Sequence, residues 1–417
     1  MNRESRSVMP RRATLFHPTL EAEGMDGRTR EYLRGRFGDH YRRASVSPPP
    51  AANEREWGYI TWSEGGTTMV RHHSFLDLVG GGDLGDFLAG ERPRHVYFSA
   101  GRYDDPGAGS MGAKGWRGSD LVFDLDADHL PGVDPEADGY AEMLAECKDA
   151  LLRLLDLLET DFGFEDLTVV FSGGRGYHVH VREPDVLELD RTARREIVDY
   201  VLGEDVEFDD LVRTETVAGS AGRSSPARKR TLPTGGWAGR TRRRLETFLD
   251  DLLEADESTA VARLQEFDGI GEGKATAVLN AARDSRGEIA DGNVDVHPAV
   301  YSIADKLFEG VVAAESAPVD EPVTTDINRL IRLPGSLHGG SGLAVTRIDR
   351  AAVDSFDPLV DAVPETFVGN DIAVYTREPT TVELGGEKFR LSEGVCSVPE
   401  YAGVFAMVRG HATKAGE

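Results

Sequence analysis

Acidic side chains that alternate with apolar ones at 119–128 are the residues most suggestive of chemistry. The segment reads SDLVFDLDAD, which predicts a buried strand that ends in carboxylates. Residues two apart in a strand share a face, so Asp124 and Asp126 should point the same way. Such a pair repels unless cations lie between it and a substrate, and carboxylate oxygens suit Mg²⁺ or Mn²⁺. A solvated acidic strand end is the alternative, and a D-x-D pair alone does not decide between the two.

A glycine-rich turn between two predicted strands follows this motif. Residues 169–181 read VVFSGGRGYHVHV, and the glycines allow close backbone approach to an anion. Arg175 supplies a permanent charge with a fixed fork of donors, and His178 supplies another donor, so the turn suits a triphosphate. An ordinary hairpin turn with an exposed arginine fits equally well. His178 and His180 share a strand face as a zinc pair would, but no third nitrogen or sulfur ligand lies nearby in sequence.

A third cluster, VDEPVTTDINRLIRLPGSLH, occupies residues 319–338. It predicts a carboxylate, a short helix, and then a turn that carries Arg332 and His338. A two-metal site can draw a further carboxylate from a distant segment, and either Asp320 or Asp326 could supply it. Asp326 precedes an apolar run and is better interpreted as the N-terminal residue of a helix, which favours Asp320 as the metal ligand.

The pattern around these clusters is that of an α/β protein. Leucines at helical spacing over 139–160 are followed by a strand-like LTVVFS at 167–172, which gives the order strand, helix, strand. No Asp or Glu occurs between Arg223 and Arg244, which indicates a boundary with a basic surface. Helical patterning follows over 241–284, and strand-like patterning returns after Val294. We therefore predict a disordered extension at 1–24, the first part of a core at 25–225, an inserted helical module at 226–292, and the second part of the core at 293–417.

The composition indicates a salt-adapted protein. Its 417 residues carry a net charge of −26, and lysine is scarce beside arginine. In molar salt the Debye length falls to about 3 Å, so this charge does not exclude a nucleic acid partner. The chain lacks a stretch of about 20 apolar residues and an apolar signal segment, so we expect a cytoplasmic protein without a membrane span. Cys147 and Cys396 are far apart, and we interpret them as buried small hydrophobic residues.

The three clusters together resemble the small catalytic subunit of archaeal and eukaryotic-type DNA primases. The similar segments are DLVFDLDADHLP at 120–131, SGGRGYHVHV at 172–181 and VDEPVTTDINRLIRLPGSLHGGSGL at 319–343, supported by RTREYLRGRFGDHYRR near the start and KGWRGSD at 114–120. The resemblance implies a primase-type α/β core, a mixed sheet with flanking helices, which the helical module interrupts. Within that module, FDGIGEGKATAVLNAAR resembles a helix-hairpin-helix, whose glycine-rich turn can present backbone N–H groups to a DNA phosphate.

The resemblance also implies residue roles. Asp124, Asp126 and Asp320 would be the catalytic ligands of two Mg²⁺ or Mn²⁺ ions. The nucleotide ligands would be Ser172, Arg175, His178, Arg332 and His338. Primers would then be made from nucleoside triphosphates on single-stranded DNA, with a larger partner subunit. Relatives often carry a zinc knuckle of cysteines and histidine near the first two motifs, whereas this region has only Cys147, so structural zinc is not expected.

Three other functions remain open from the sequence. A repair or end-joining polymerase of the same superfamily would extend primers without starting them. A D-x-D glycosyltransferase also binds a nucleotide through a metal, but it does not account for the arginines and histidines of the later motifs. A non-catalytic DNA-binding subunit would use none of these carboxylates.

Overall fold

The computed structural model describes residues 25–63, 69–135, 137–217 and 227–416. The predicted extension at 1–24 lies outside these residues. The chain divides into two compact units. The first comprises the described residues of Met1–Lys148, Asp166–Arg194 and Asp320–Glu417, and the second comprises Asp149–Glu165 and Arg195–Val319. The described part of the predicted helical module, 227–292, therefore belongs to the second unit.

The described helices are α1 (Gly27–Arg43), α2 (Phe75–Val79), α3 (Leu84–Glu91), α4 (Met111–Lys114), α5 (Tyr140–Asp156), α6 (Pro184–Leu187), α7 (Arg191–Leu202), α8 (Phe208–Leu211), α9 (Gly236–Glu254), α10 (Glu257–Gln265), α11 (Glu272–Asp284), α12 (Arg286–Ala290), α13 (Pro298–Glu315), α14 (Glu321–Thr325), α15 (Pro358–Asp361) and α16 (Glu400–Val408).

The described strands are β1 (Trp57–Ile60), β2 (Met69–His73), β3 (His95–Ser99), β4 (Gly101–Tyr103), β5 (Trp116–Ser119), β6 (Leu121–Asp126), β7 (Leu167–Phe171), β8 (Gly176–Val181), β9 (Arg213–Val217), β10 (Ala227–Thr231), β11 (Leu330–Arg332), β12 (Thr346–Ile348), β13 (Asp371–Thr376), β14 (Thr380–Leu384), β15 (Glu387–Leu391), β16 (Gly394–Pro399) and β17 (Thr413–Lys414).

Two four-stranded sheets form the centre of the first unit, in the orders β12-β7-β8-β6 and β11-β3-β1-β2. The predicted α/β core with flanking helices is confirmed. The expected mixed sheet is not found, because the described strand pairs are all antiparallel. β7 and β8 are rich in β-branched and aromatic residues, which favour strands, and nearly all of their side chains are buried. Among the described strands, β6 lies at the edge of its sheet and pairs on one side, with β8.

The start of β6 is anchored by a buried ion cluster around Asp120. Its carboxylate accepts hydrogen bonds from Arg55 at 2.9 and 3.0 Å, from Arg182 at 2.8 Å and from Arg102 at 3.2 Å. The Asp120 and Arg55 side chains have no solvent exposure. Three cations around one buried carboxylate hold the chain firmly just before it enters β6.

The second unit is mainly helical. The guanidinium group of Arg240 on α9 forms ion pairs with Asp156 at 2.6 Å, Asp161 at 2.9 Å and Glu315 at 2.7 Å. The helical patterning over 241–284 is confirmed by α9, α10 and α11, and a short glycine-containing turn joins α10 to α11. Contact of that turn with DNA stays a prediction.

The expected return of strand patterning after Val294 is wrong. Residues 298–315 form the 18-residue helix α13, which begins with a proline at its first turn and a His297 side chain that accepts a hydrogen bond from the backbone N–H of Ala299. Apolar side chains at helical spacing bury one face of α13, including Ile303, Leu307 and Val311. The next strand, β11, does not begin until Leu330.

No helix in the described ranges is long and apolar enough to cross a membrane. Of the two cysteines, Cys147 is buried, as expected, and donates to the carbonyl oxygen of Leu125 at 3.5 Å. Cys396 is only half-buried, so its interpretation as a buried residue is wrong.

Candidate active site

The pairing of β6 with β8 determines which motif residues meet. Asp124 lies opposite His178 and Asp126 lies opposite Gly176. The His178 Nε2 atom is 3.4 Å from the Asp124 Oδ1 atom. A Cβ atom at position 176 would lie 1.8 Å from the carbonyl oxygen of Leu125, so only glycine permits this close approach of the strands. The first two motifs therefore form one surface of the sheet.

The third carboxylate belongs to Asp320, whose backbone lies beside β6. The backbone N–H of Asp320 donates to the carbonyl oxygen of Asp124 at 2.9 Å. Asp320 precedes α14, and its side chain does not cap that helix, so its carboxylate is not used by the helix backbone. The structure thus brings Asp124, Asp126 and Asp320 together from segments almost 200 residues apart.

These carboxylates repel one another. Burial and the neighbouring charge of Asp126 raise the pKa of Asp124 to about 6. Burial and the charge of Asp124 also raise the pKa of Asp320. The charges of Arg329 and Arg332 act in the opposite direction on Asp124, but they only partly offset the increase in pKa. A cluster of this kind carries negative charge that the protein does not fully neutralise.

The glycine turn packs against the third motif. Ser172 is buried, and its Oγ atom accepts a hydrogen bond from the Gly174 N–H at 3.3 Å. A Cβ atom at Gly174 would lie 3.1 Å from the His338 Nε2 atom, so the turn lies directly on that imidazole. The His338 Nδ1 atom accepts from the Gly340 N–H at 3.2 Å. The turn and His338 therefore support each other's position.

The two histidines of the site are neutral. Burial and the charges of Arg332 and Arg329 lower the pKa of His178 to about 3. Burial and the charge of Arg332 hold the pKa of His338 well below its usual value. Within the described residues, the buried Nδ1 atom of His178 has no hydrogen-bond partner. His338 can thus donate one hydrogen bond to a ligand through its Nε2 atom, and His178 can donate one to Asp124. Neither histidine adds positive charge.

Positive charge comes from arginines on β11 and the glycine turn. Arg332 ends β11, its guanidinium carbon is 5.7 Å from the centre of the Tyr97 ring, and its buried Nε atom has no partner among the described residues. Arg175 forms an ion pair with Asp128 at 2.5 Å. The placement of Asp326 as a helix N-terminal residue is wrong: it follows α14, because Leu330 and Ile331 pair with β3 as a strand.

The donor chemistry of the site fits Mg²⁺ or Mn²⁺. In the described ranges, no three His, Cys, Asp or Glu side chains form a ready-made cage for a metal ion. Mg²⁺ in polymerase-type sites is usually held by one or two carboxylates together with water and substrate phosphates. Asp124 and Asp126 match that requirement, because they offer hard oxygen donors and a cation would relieve the repulsion between them.

All eight sequence-predicted site residues lie in the first unit, on β6, β8, β11, the glycine turn and the segments beside α14 and His338. Sequence reasoning missed Asp128, His129 and Arg329. The charges of His129 and Arg329 act on Asp124 and Asp320. Asp128 and His129 lie beside the first motif in sequence, and Arg329 lies three residues before Arg332, so their sequence positions could have indicated a role. The fold was needed to show that they lie near the site.

Comparison with known proteins relates this chain to one family. A family model described as DNA primase small subunit matches residues 123–350. The DNA primase small subunit PriS of Natronomonas pharaonis is 78% identical over 393 residues, which cover 94% of this chain and 100% of that protein. The PriS protein of Haloarcula marismortui is 65% identical over 395 residues, with 94% and 100% covered. A polymerase domain of Mycobacterium tuberculosis ligase D solved with DNA aligns at 12% identity and a TM-score of 0.30 over 80% of this chain and 85% of that one, too weak a likeness to support a conclusion.

Proposed function

The chain belongs to the DNA primase small-subunit family, and we propose that Asp124, Asp126 and Asp320 form the catalytic centre at which it joins nucleotides on single-stranded DNA. As the catalytic small subunit of a primase, it is a nucleotidyltransferase of DNA replication. The substrates would be nucleoside triphosphates and the products short primers. A larger partner subunit, as the family name implies, would complete the enzyme.

The observation that carries the proposal is the uncompensated carboxylate cluster beside a glycine turn. Burial and Asp126 raise the pKa of Asp124, which indicates a position that gains from a bound cation. Two divalent ions held there would activate the attacking 3′-hydroxyl and neutralise the leaving oxygens. Asp124 and Asp126 lie two residues apart on β6 and so share a face of the strand, which pairs along its length with β8.

Three of the remaining residues would bind the triphosphate, and the other two would hold the site in shape. Arg175 and Arg332 would neutralise the β- and γ-phosphates, and the neutral imidazole of His338 would donate a hydrogen bond to a phosphate oxygen. Ser172 holds the glycine turn in shape through its hydrogen bond from Gly174. His178, 3.4 Å from Asp124, would hold that carboxylate in place. Catalysis would then rest on positioning and charge neutralisation, without a covalent intermediate.

The test is incorporation of labelled nucleoside triphosphates on unprimed single-stranded DNA in molar KCl with Mg²⁺ or Mn²⁺, with the large subunit added. We expect Asp124→Asn and Asp126→Asn to lower the rate by more than about 100-fold, because cation stabilisation of the transition state is worth several kcal/mol. Asp371→Asn, a substitution of an exposed carboxylate at the start of β13, should leave the rate unchanged. Wild-type rates in either site variant would contradict the proposal.

The assay, repeated with a supplied primer, separates the rival functions. Extension of a supplied primer without new starts, even with the large subunit present, would favour a repair-type polymerase. Lack of any incorporation by the wild-type protein under all these conditions would favour a non-catalytic DNA-binding subunit.

A further inference from the structure

The Arg175 side chain is held by a residue that the proposed site does not use. Its Nη2 atom lies 2.5 Å from the Asp128 Oδ2 atom. The two side chains keep 29% and 23% of their surface exposed, so the pair is partly shielded from solvent.

The backbones of both partners are also fixed. The Ala127 N–H donates to the carbonyl oxygen of Arg175 at 3.1 Å, which extends the contact between β6 and β8 past the end of both strands. The Asp128 N–H donates to the Asp126 Oδ1 atom at 3.3 Å. Asp128 lies in the short 3₁₀ turn Ala127–His129 directly after β6. Its position is therefore tied to the same strand that carries the catalytic carboxylates.

An arginine that binds a phosphate benefits from a partner of this kind. A free arginine loses conformational entropy when a ligand fixes it. In molar salt, long-range attraction between the arginine and a triphosphate is screened, so its position at close range matters more. The guanidinium has five N–H donors, and contact with Asp128 through Nη2 leaves donors on Nε and Nη1 for a ligand.

We propose that Asp128 is a positioning residue that presents Arg175 to the triphosphate of the incoming nucleotide. This inference rests on the proposed function of the site. The Asp128 carboxylate is paired with Arg175, which lies on the glycine turn.

The test is steady-state kinetics of single-nucleotide incorporation on a primed template by the complete primase, at saturating Mg²⁺. Four variants are compared with the wild type: Asp128→Asn, Asp128→Glu, Arg175→Ala and the double variant Asp128→Asn with Arg175→Ala. We expect Asp128→Asn to raise the KM for the nucleotide about tenfold with kcat changed less than about twofold, since lost positioning costs up to about 100-fold. Asp128→Glu keeps the carboxylate and should restore most of the affinity.

The double variant shows whether Asp128 acts through Arg175. We expect its KM to equal that of Arg175→Ala alone. A lower KM in Asp128→Asn would mean that Asp128 competes with phosphate, and a lower kcat with an unchanged KM would mean that it acts on the metal or the reacting atoms. Either result, an unchanged KM, or additive effects in the double variant would overturn the inference.

Two controls separate its failure from failure of the site itself. Urea unfolding verifies that each variant is folded. If Asp124→Asn is inactive while Asp128→Asn behaves like the wild type, only the positioning role of Asp128 is wrong. If Asp124→Asn is active, the proposed catalytic centre is wrong.

Discussion

Replacement of Asp124 by Asn should abolish synthesis and yet stabilise the metal-free protein. Burial and Asp126 raise the pKa of Asp124 from 3.8 to about 6 in the folded chain, whereas the unfolded chain keeps a pKa near 3.8. Below pH 3.8 the Asp124 side chain is protonated in both the folded and the unfolded state, so it does not reduce the folding stability of the wild type. As pH rises from 3.8 to 6, the unfolded state ionises first, so folding stability falls.

The size of this loss follows from the pKa difference. At about 1.36 kcal/mol per pH unit, the change from 3.8 to about 6 corresponds to at most about 3 kcal/mol above pH 6. The side chain keeps 19% of its surface exposed, so solvent reduces the penalty, and we expect about 1–3 kcal/mol. Asn cannot ionise, so the variant avoids the loss while its side chain keeps nearly the same shape.

The assay is urea unfolding in molar KCl with EDTA, at pH 4 and at pH 7.5, followed by tryptophan fluorescence. Trp57, Trp62 and Trp116 lie in the unit that holds the site. Asp124→Asn should be more stable than the wild type at pH 7.5 and equal to it at pH 4. Millimolar Mg²⁺ should stabilise the wild type more than the variant, because the ion binds only the folded state. A variant that is less stable at pH 7.5, or a stability difference independent of pH, would refute this reasoning.

Two further predictions concern the strand that carries the site. Gly176→Ala should lower the free energy of unfolding by about 3 kcal/mol or more and abolish synthesis, because the new methyl group would overlap the Leu125 carbonyl. The control is Gly109→Ala, where no atom lies within 4 Å of the added carbon. Equal stability of the two variants in urea would show that β6 can move aside. Asp120→Asn should cost about 3–5 kcal/mol in the same measurement, because it leaves buried arginines without their counter-charge, and a loss under about 1 kcal/mol would contradict this.

Short-range pattern was enough to predict the parts of the site that lie along one strand or turn. The period of two places Asp124 and Asp126 on one face, and the glycines of 172–176 mark the turn between β7 and β8. The shared face of Asp124 and His178 needed the register between strands, which depends on a close approach at Gly176 that no local pattern reveals.

Errors arose where a short apolar run was consistent with two structures. Leu330 and Ile331 fit a helix by spacing, but hydrogen bonding to β3 makes them a strand and places Asp326 at the end of α14. The segment after Val294 contains apolar residues compatible with a strand, but Pro298 and its neighbours start an 18-residue helix. The Asp128–Arg175 pair was also beyond sequence reasoning, because almost 50 residues separate its members.

The antiparallel pairing of β6 with β8 limits which insertions and deletions the gene can tolerate. One residue gained or lost inside β6 would turn every later side chain of that strand to the opposite face, so Asp126 would exchange places with an apolar neighbour. The described residues of the connection from 130 to 166 lie outside this sheet, so that connection can change length without altering the register. Variation in chain length should therefore collect between the strands, while the spacing within each motif stays fixed.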